Sequence, residues 1–182
     1  MKSIPTSEIS RYCDRRSLVS VERARIDSNA VHGFIIDFDE DWILLQHVYD
    51  FFIDGWVLLR RSPITKISSK ATDSFHKRLL EEEGKLSKVN FTERIPSGGV
   101  PELLKDFDAS RVVILEEETE EEDMFYLGLV RGLDEDDFIR VLSVSGVGEF
   151  DDEETLVALE DLTSISYDKN YTLHYQRFLD RQ

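Results

Sequence analysis

Over residues 17–26, apolar and charged side chains mix at a spacing of two, the pattern of a half-buried β-strand. Asp27-Ser28-Asn29 supplies turn residues, and residues 30–38 read as a second strand with Gly33 inside it. A glycine within a strand marks a bulge or a sharp bend. Asp39-Glu40-Asp41 turns the chain into a third strand over residues 42–49, and a turn near Asp54-Gly55 leads to a fourth over 55–60. Ser62-Pro63 breaks the run, because proline has no N–H for a ladder, and residues 64–68 form a short fifth strand. Asp73 or Ser74 then caps a helix running to Glu83, which Gly84 stops. Glu81, Glu82 and Glu83 sit at the end of that helix where its dipole disfavours negative charge.

The same order returns about 95 to 100 residues later, the mark of an internal repeat. Residues 111–116 open the second copy, with Val112-Val113-Ile114-Leu115 between Arg111 and Glu116, and the strand-like Phe125-Tyr126-Leu127-Gly128-Leu129-Val130 matches the segment around Gly33. Asp134-Glu135-Asp136 repeats the acidic turn, and residues 138–142 match the third strand. Residues 155–159 and 162–166 follow, and His174-Tyr175-Gln176-Arg177-Phe178-Leu179 matches Phe75-His76-Lys77-Arg78-Leu79-Leu80. Four segments are expected: a polar arm over 1–16, docked or partly loose; a first unit with its helix over 17–84; a connector over 85–110; and a second unit with its helix over 111–182. Within the connector, Pro101 starts a short helix whose Leu103, Leu104 and Phe107 share a face.

Five short strands, a glycine in the second, an acidic turn before the third and a closing Ile-x-x-Ile strand form a recognisable set. Its residues are Gly33, Asp39, Asp41, Asp54-Gly55 and Ile64-Thr65-Lys66-Ile67, then Gly128, Asp134, Asp136 and Leu162-Thr163-Ser164-Ile165. The set resembles the Sm-like or SH3-like small β-barrels over residues 17–70 and 111–168. The resemblance implies a mainly β fold of two related five-stranded small barrels, each followed by a helix, with a short connector helix between them. Sm-like proteins place a helix before the first strand, whereas the clearest helix here follows the fifth. The second copy also lacks the Asn- and Arg/Lys-bearing loops that bind RNA in that family, so RNA binding is not carried over.

Composition narrows the function. With 41 % hydrophobic residues among 182, the chain can bury a core. Its formal charge of −16 repels polyanions, which disfavours nucleic acid and anionic membranes and favours a basic protein partner. Cys13 is the one cysteine, so neither an internal disulfide nor a cysteine-built zinc site can form, and an inert thiol is expected. The first residues lack an apolar signal core and no run reaches the length of a membrane span, so a cytoplasmic location is expected.

Candidate chemistry is sparse. Asp37, Asp39 and Asp41 alternate as in a calcium loop, but Trp42 stands where the loop needs glycine and Val48 where it needs the closing glutamate. A plain acidic hairpin turn fits better. The run from Glu116 to Asp123 reads as a solvated loop joining two strands. His32, His47, His76 and His174 are scattered, and no Ser/His/Asp order or phosphate-binding glycine loop appears, so no cofactor or metal site is expected. Tyr49, Phe51, Phe52 and Trp56 crowd one hairpin, and adjacent aromatics cannot all point inward from a strand. These four are the candidate partner-binding residues. The second copy has Val147, Gly148 and Phe150 there, so the repeats are not equivalent.

Three functions follow. The first is a non-enzymatic protein-interaction module, including a neutraliser of a basic protein. The second is an Sm-like RNA-binding regulator, which requires a basic patch from Arg11, Arg15, Arg16, Arg23, Arg25, Arg60 and Arg61. The third is an enzyme with a carboxylate site at Asp37, Asp39 and Asp41.

Overall fold

The computed structural model describes residues 4–134 and 137–181. Glu135 and Asp136 of the second acidic turn lie outside the described residues. The fold is mainly β, with antiparallel sheets, and it divides into two compact units, Met1–Arg94 and Ile95–Gln182. The arm therefore belongs to the first unit, and the connector is shared out between the two.

The first unit contains α1 (Thr6–Asp14), β1 (Leu18–Glu22), β2 (Val31–Phe38), β3 (Trp42–Tyr49), β4 (Phe52–Arg60), β5 (Lys66–Ser68) and α2 (Ala71–Glu82), then a 3-10 turn over Lys85–Lys88. Its strands lie in the order β5-β1-β2-β3-β4. Beyond the short turn read from the sequence, the arm forms a full helix. Ile9, Tyr12 and Cys13 fall at helical spacing on one face, and Ile9 is completely buried among Val19, Val21, Ile35, Ile43 and Leu59. A helix thus precedes β1 as well as following β5. Covered in this way, β1 is buried over four successive residues instead of alternating, and β3 over five.

The second unit contains α3 (Gly99–Lys105), β6 (Val112–Glu118), β7 (Asp123–Leu133), β8 (Phe138–Ser143), β9 (Thr155–Ala158), β10 (Ser164–Tyr167) and α4 (Asn170–Leu179). Its order is β10-β6-β7-β8-β9, the counterpart of the first unit strand for strand. Among the described residues no pairing joins the first and last strands of either unit's order, so neither run of five strands closes on itself. Val112, Ile114, Leu127 and Leu129 form a core against Tyr175 and Leu179 of α4. In α3, Leu103 and Leu104 are buried, whereas Phe107 lies past its end with its ring 4.9 Å from that of Tyr167.

Polar contacts repeat along with the strands. The N–H of Thr65 donates to the Glu22 carbonyl at 2.8 Å, and its hydroxyl to the same oxygen at 3.0 Å. Thr163 does the same to the Glu116 carbonyl, at 2.9 and 3.1 Å. The Asp39 carboxylate accepts the N–H groups of Asp41 and Trp42 at 2.8 and 2.7 Å, and Asp134 accepts that of Phe138 at 2.9 Å. Asp39 thereby closes an Asx turn, and Asp134 bonds across its hairpin to the N–H four residues on, a structural task in each case.

Both bends come from the same device. A Cβ built on Gly33 would lie 2.6 Å from the carbonyl oxygen of Gln46, and one on Gly128 would collide with the carbonyl oxygen of Leu142. Beyond each glycine the strand pairing slips by a residue, between Ile35 and Asp37 in β2 and between Val130 and Gly132 in β7. Only glycine permits the close approach, and the bulge adds twist.

Three local expectations are corrected. Asp54-Gly55 is not a turn. The hairpin turns at Asp50-Phe51, both at positive φ (42° and 63°), β4 starts at Phe52, and Gly55 (φ 65°) sits in a bulge opposite His47. Asp73 is not the helix cap. α2 starts at Ala71, and the Asp73 carboxylate reaches back to the N–H of Lys70 at 2.7 Å. The acidic run is not a loop, because Glu117 pairs with Met124 and Glu118 with Asp123, leaving Glu120 and Glu121 at a tight tip. Thr119 closes that tip, its N–H donating to the Glu122 carbonyl at 3.1 Å. The conflict at the end of α2 is eased by ion pairs from Lys85 to Glu83 (2.6 Å) and from Arg78 to Glu82 (3.7 Å).

Gly33→Ala must push β2 from β3, and should cost on the order of 2 kcal/mol or more in urea unfolding. Gly146→Ala meets nothing within 4 Å and should stay within about 0.5 kcal/mol of the parent.

Candidate interaction surfaces

The aromatic hairpin of the first unit is split by burial. Tyr49 and Phe52, cross-strand partners, are 63 % and 62 % exposed, Phe51 is 39 % exposed, and Trp56 is 9 % exposed. Trp56 is therefore a core residue and presents no contact face. Phe51 holds the left-handed backbone that bulky residues rarely adopt. Its ring meets His76 of α2 edge-on at 4.7 Å, and Lys85 donates to its carbonyl at 3.2 Å. The Lys85 ammonium also lies 4.4 Å from the centre of the Phe52 ring. The tip is thus held in a strained conformation by contacts on either side of it.

One polar trio was invisible in the sequence order. The Ser20 hydroxyl donates to Asp73 at 2.9 Å and lies 3.1 Å from Nδ1 of His32. Ser20 is buried and its proton faces the carboxylate, so the trio ties α2 to β1 and does not form a nucleophile with its base. Four arginines of the first unit are also engaged. Arg23 is buried with its guanidinium 3.5 Å from Asp27, Arg61 donates to the carbonyls of Asp39 and Ile4, Arg60 lies over Trp42, and Arg16 lies over Phe91. Cys13 donates to the Ile36 carbonyl at 3.4 Å. Burial pushes its thiol pKa up, and the neighbouring Asp14 and Asp37 add to the shift.

The second unit exposes aromatic surface as well as the first. Phe125, Phe150, Tyr171 and Phe178 stand in solvent with Val147. Tyr171, His174, Tyr175 and Phe178 fall at i, i+3, i+4 and i+7 along α4, a single stripe. Tyr175 donates to the Gly146 carbonyl at 3.1 Å, and Tyr171 to the Tyr175 hydroxyl at 3.4 Å. Two hollows flank that junction. One, of about 400 Å³, is bounded by Phe125, Tyr126, Tyr171, Asp151 and Thr155. The other, of about 220 Å³, is bounded by Val147, Gly148, His174 and Phe178. The sequence reading missed this surface because an exposed aromatic stripe and a core-facing one have the same period. One signal was present: α4 carries apolar residues on more than the face that a single sheet can cover.

Charge separates with the units. The first holds fifteen Lys and Arg against fifteen Asp and Glu, the second seven against twenty-three, so the whole formal charge of −16 lies in residues 95–182. Among the acids, Glu117 has its carboxyl pKa raised, by burial first and then by Asp161, while its contact with the Tyr126 hydroxyl opposes the shift.

No protein-family model matches the chain, and no curated protein or solved structure matches it either. No helix among the described residues is long and apolar enough to cross a membrane.

Cys13 should alkylate at least about tenfold more slowly than free cysteine at pH 8, and at the free rate in denaturant. Equal rates in the native state would show an open thiol. A raised folded pKa at Glu117 means that its ionised form opposes folding at neutral pH, and that the handicap fades as pH falls into the carboxylate range. Glu117→Gln should therefore raise the unfolding midpoint at pH 7, with the gain vanishing near pH 4, as thermal melts across pH would show.

Proposed function

We propose that the chain is a non-enzymatic interaction module that docks a basic protein, with the second unit as its binding face. One observation carries this reading: the net negative charge and the exposed aromatic stripe fall on the same unit. Charge steers a basic partner over a Debye length of about 10 Å, and aromatic side chains then supply the desolvated contacts that hold it. The first unit, neutral by count, is the scaffold.

The Sm-like or SH3-like resemblance is retained as a proposal. It is supported by the strand order, by the bulge at the same distance beyond Gly33 and Gly128, and by α1 ahead of β1. An RNA-binding role draws less support, because four of the seven arginines it would recruit, Arg16, Arg23, Arg60 and Arg61, are engaged within the first unit. A second contact point at Tyr49 and Phe52 is favoured by the strain at Phe51, since strain of this kind concentrates at functional sites.

The test is fluorescence anisotropy of the full chain with a labelled peptide of mixed lysine and arginine and with its glutamate counterpart. The basic peptide should bind, and its affinity should fall as salt rises. Replacing Glu120, Glu121 and Glu122 by glutamine should weaken it by roughly threefold or more. Equal affinity for both peptides, or none for either, refutes the reading.

A further inference from the structure

We infer that the larger hollow of the second unit holds an arginine side chain of the basic partner, and that the smaller one takes an adjacent apolar side chain. The inference rests on the reading that this unit docks a basic protein. The larger hollow offers aromatic residues from two directions, Phe125 from β7 and Tyr171 from α4, with Asp151 at its border. No lysine or arginine lines it. A guanidinium suits both features: its flat face stacks on a ring while its edge donates in parallel to a carboxylate. An ammonium has only point charge to offer and is more strongly hydrated.

The surroundings are fixed before any partner arrives. The Asp151 N–H donates to the Ser143 carbonyl at 3.0 Å, which anchors the acid beside the end of β8. Tyr171 is steadied by its hydroxyl contact with Tyr175, which in turn is held by the Gly146 carbonyl. Gly146 borders both hollows, so occupants of the two would be near neighbours along one segment. The smaller hollow has a different character. Val147 and Phe178 line it, and its His174 already accepts at Nδ1 from the Arg177 guanidinium at 2.9 Å. A cation is therefore already at its edge, which disfavours a second one and leaves the place to an apolar group. Around the pair, Glu149, Asp152, Glu153 and Glu154 extend the negative field along the same loop.

The experiment uses the full chain and three labelled peptides in a Gly/Ser background, carrying Arg-Leu pairs, Lys-Leu pairs or citrulline-Leu pairs. The arginine peptide should bind roughly threefold or more tighter than the lysine peptide at equal charge, and the citrulline peptide weakest. Tyr171→Ala and Asp151→Asn should each erase the preference for arginine over lysine. Both residues are exposed, and circular dichroism with thermal melts verifies that the variants fold. Tyr171→Phe, which keeps the ring, should retain the preference. If both cationic peptides bind but equally, or if the variants discriminate like the parent, the arginine site is wrong while the acidic docking face stands. If no cationic peptide binds, both fall together.

Discussion

Two strand crossings that admit no Cβ set the shape of both units. At Gly33 and at Gly128 the neighbouring strand's carbonyl occupies the space that any other side chain would need. The close approach bends the second strand over the third, and the slip in register just beyond it adds the twist that carries the strand end to the acidic hairpin. The rest of each unit follows from that curvature. The first strand can pair with both the second and the last, and a following helix can lie across the ladder.

Around those crossings, small polar groups do the closing. Thr65 and Thr163 each offer both an N–H and a hydroxyl to one carbonyl of the first strand, which pins the last strand in register. Asp39 and Asp134 satisfy N–H groups at their hairpins that would otherwise be unpaired. Of the carboxylates that looked most like chemistry in the first acidic turn, that of Asp39 is therefore spent on the backbone. So is Asp73, whose oxygens take the Lys70 N–H and the buried Ser20 hydroxyl.

With the framework accounted for by repeated residues, functional difference has to reside in what the copies do not share. Both copies pack the loop after the third strand onto the following helix: Phe51 on His76 in the first unit, Gly146 on Tyr175 in the second. In the first, the contact yields a tight, strained tip over a neutral unit. In the second, the longer loop leaves hollows beside an aromatic stripe, in the half of the chain that carries all the net charge. A common scaffold has thus been given two different faces, one neutral by count and one acidic.

The repeat, the five strands per copy, the following helices and the acidic character were legible in the sequence, because they depend on local periodicity, on turn residues and on a charge count. Gly33 and Gly128 were visible as bends for the same reason. The hairpin tip was misplaced, since Asp54-Gly55 has turn composition while the turn at Asp50-Phe51 has tertiary contacts, from Lys85 and His76 to Phe51, that local composition does not show. The length of α1 depended on a core for Ile9 to enter. The strand character of Glu116 to Glu118 depended on cross-strand partners that outweigh their polarity. Exposure was decided by packing alone: Trp56 and Phe52 are similar to a composition argument, yet one faces the core and the other solvent. The division of charge was written in the residues throughout, but it became a property of a surface only once the fold set the boundary between the units at Arg94 and Ile95.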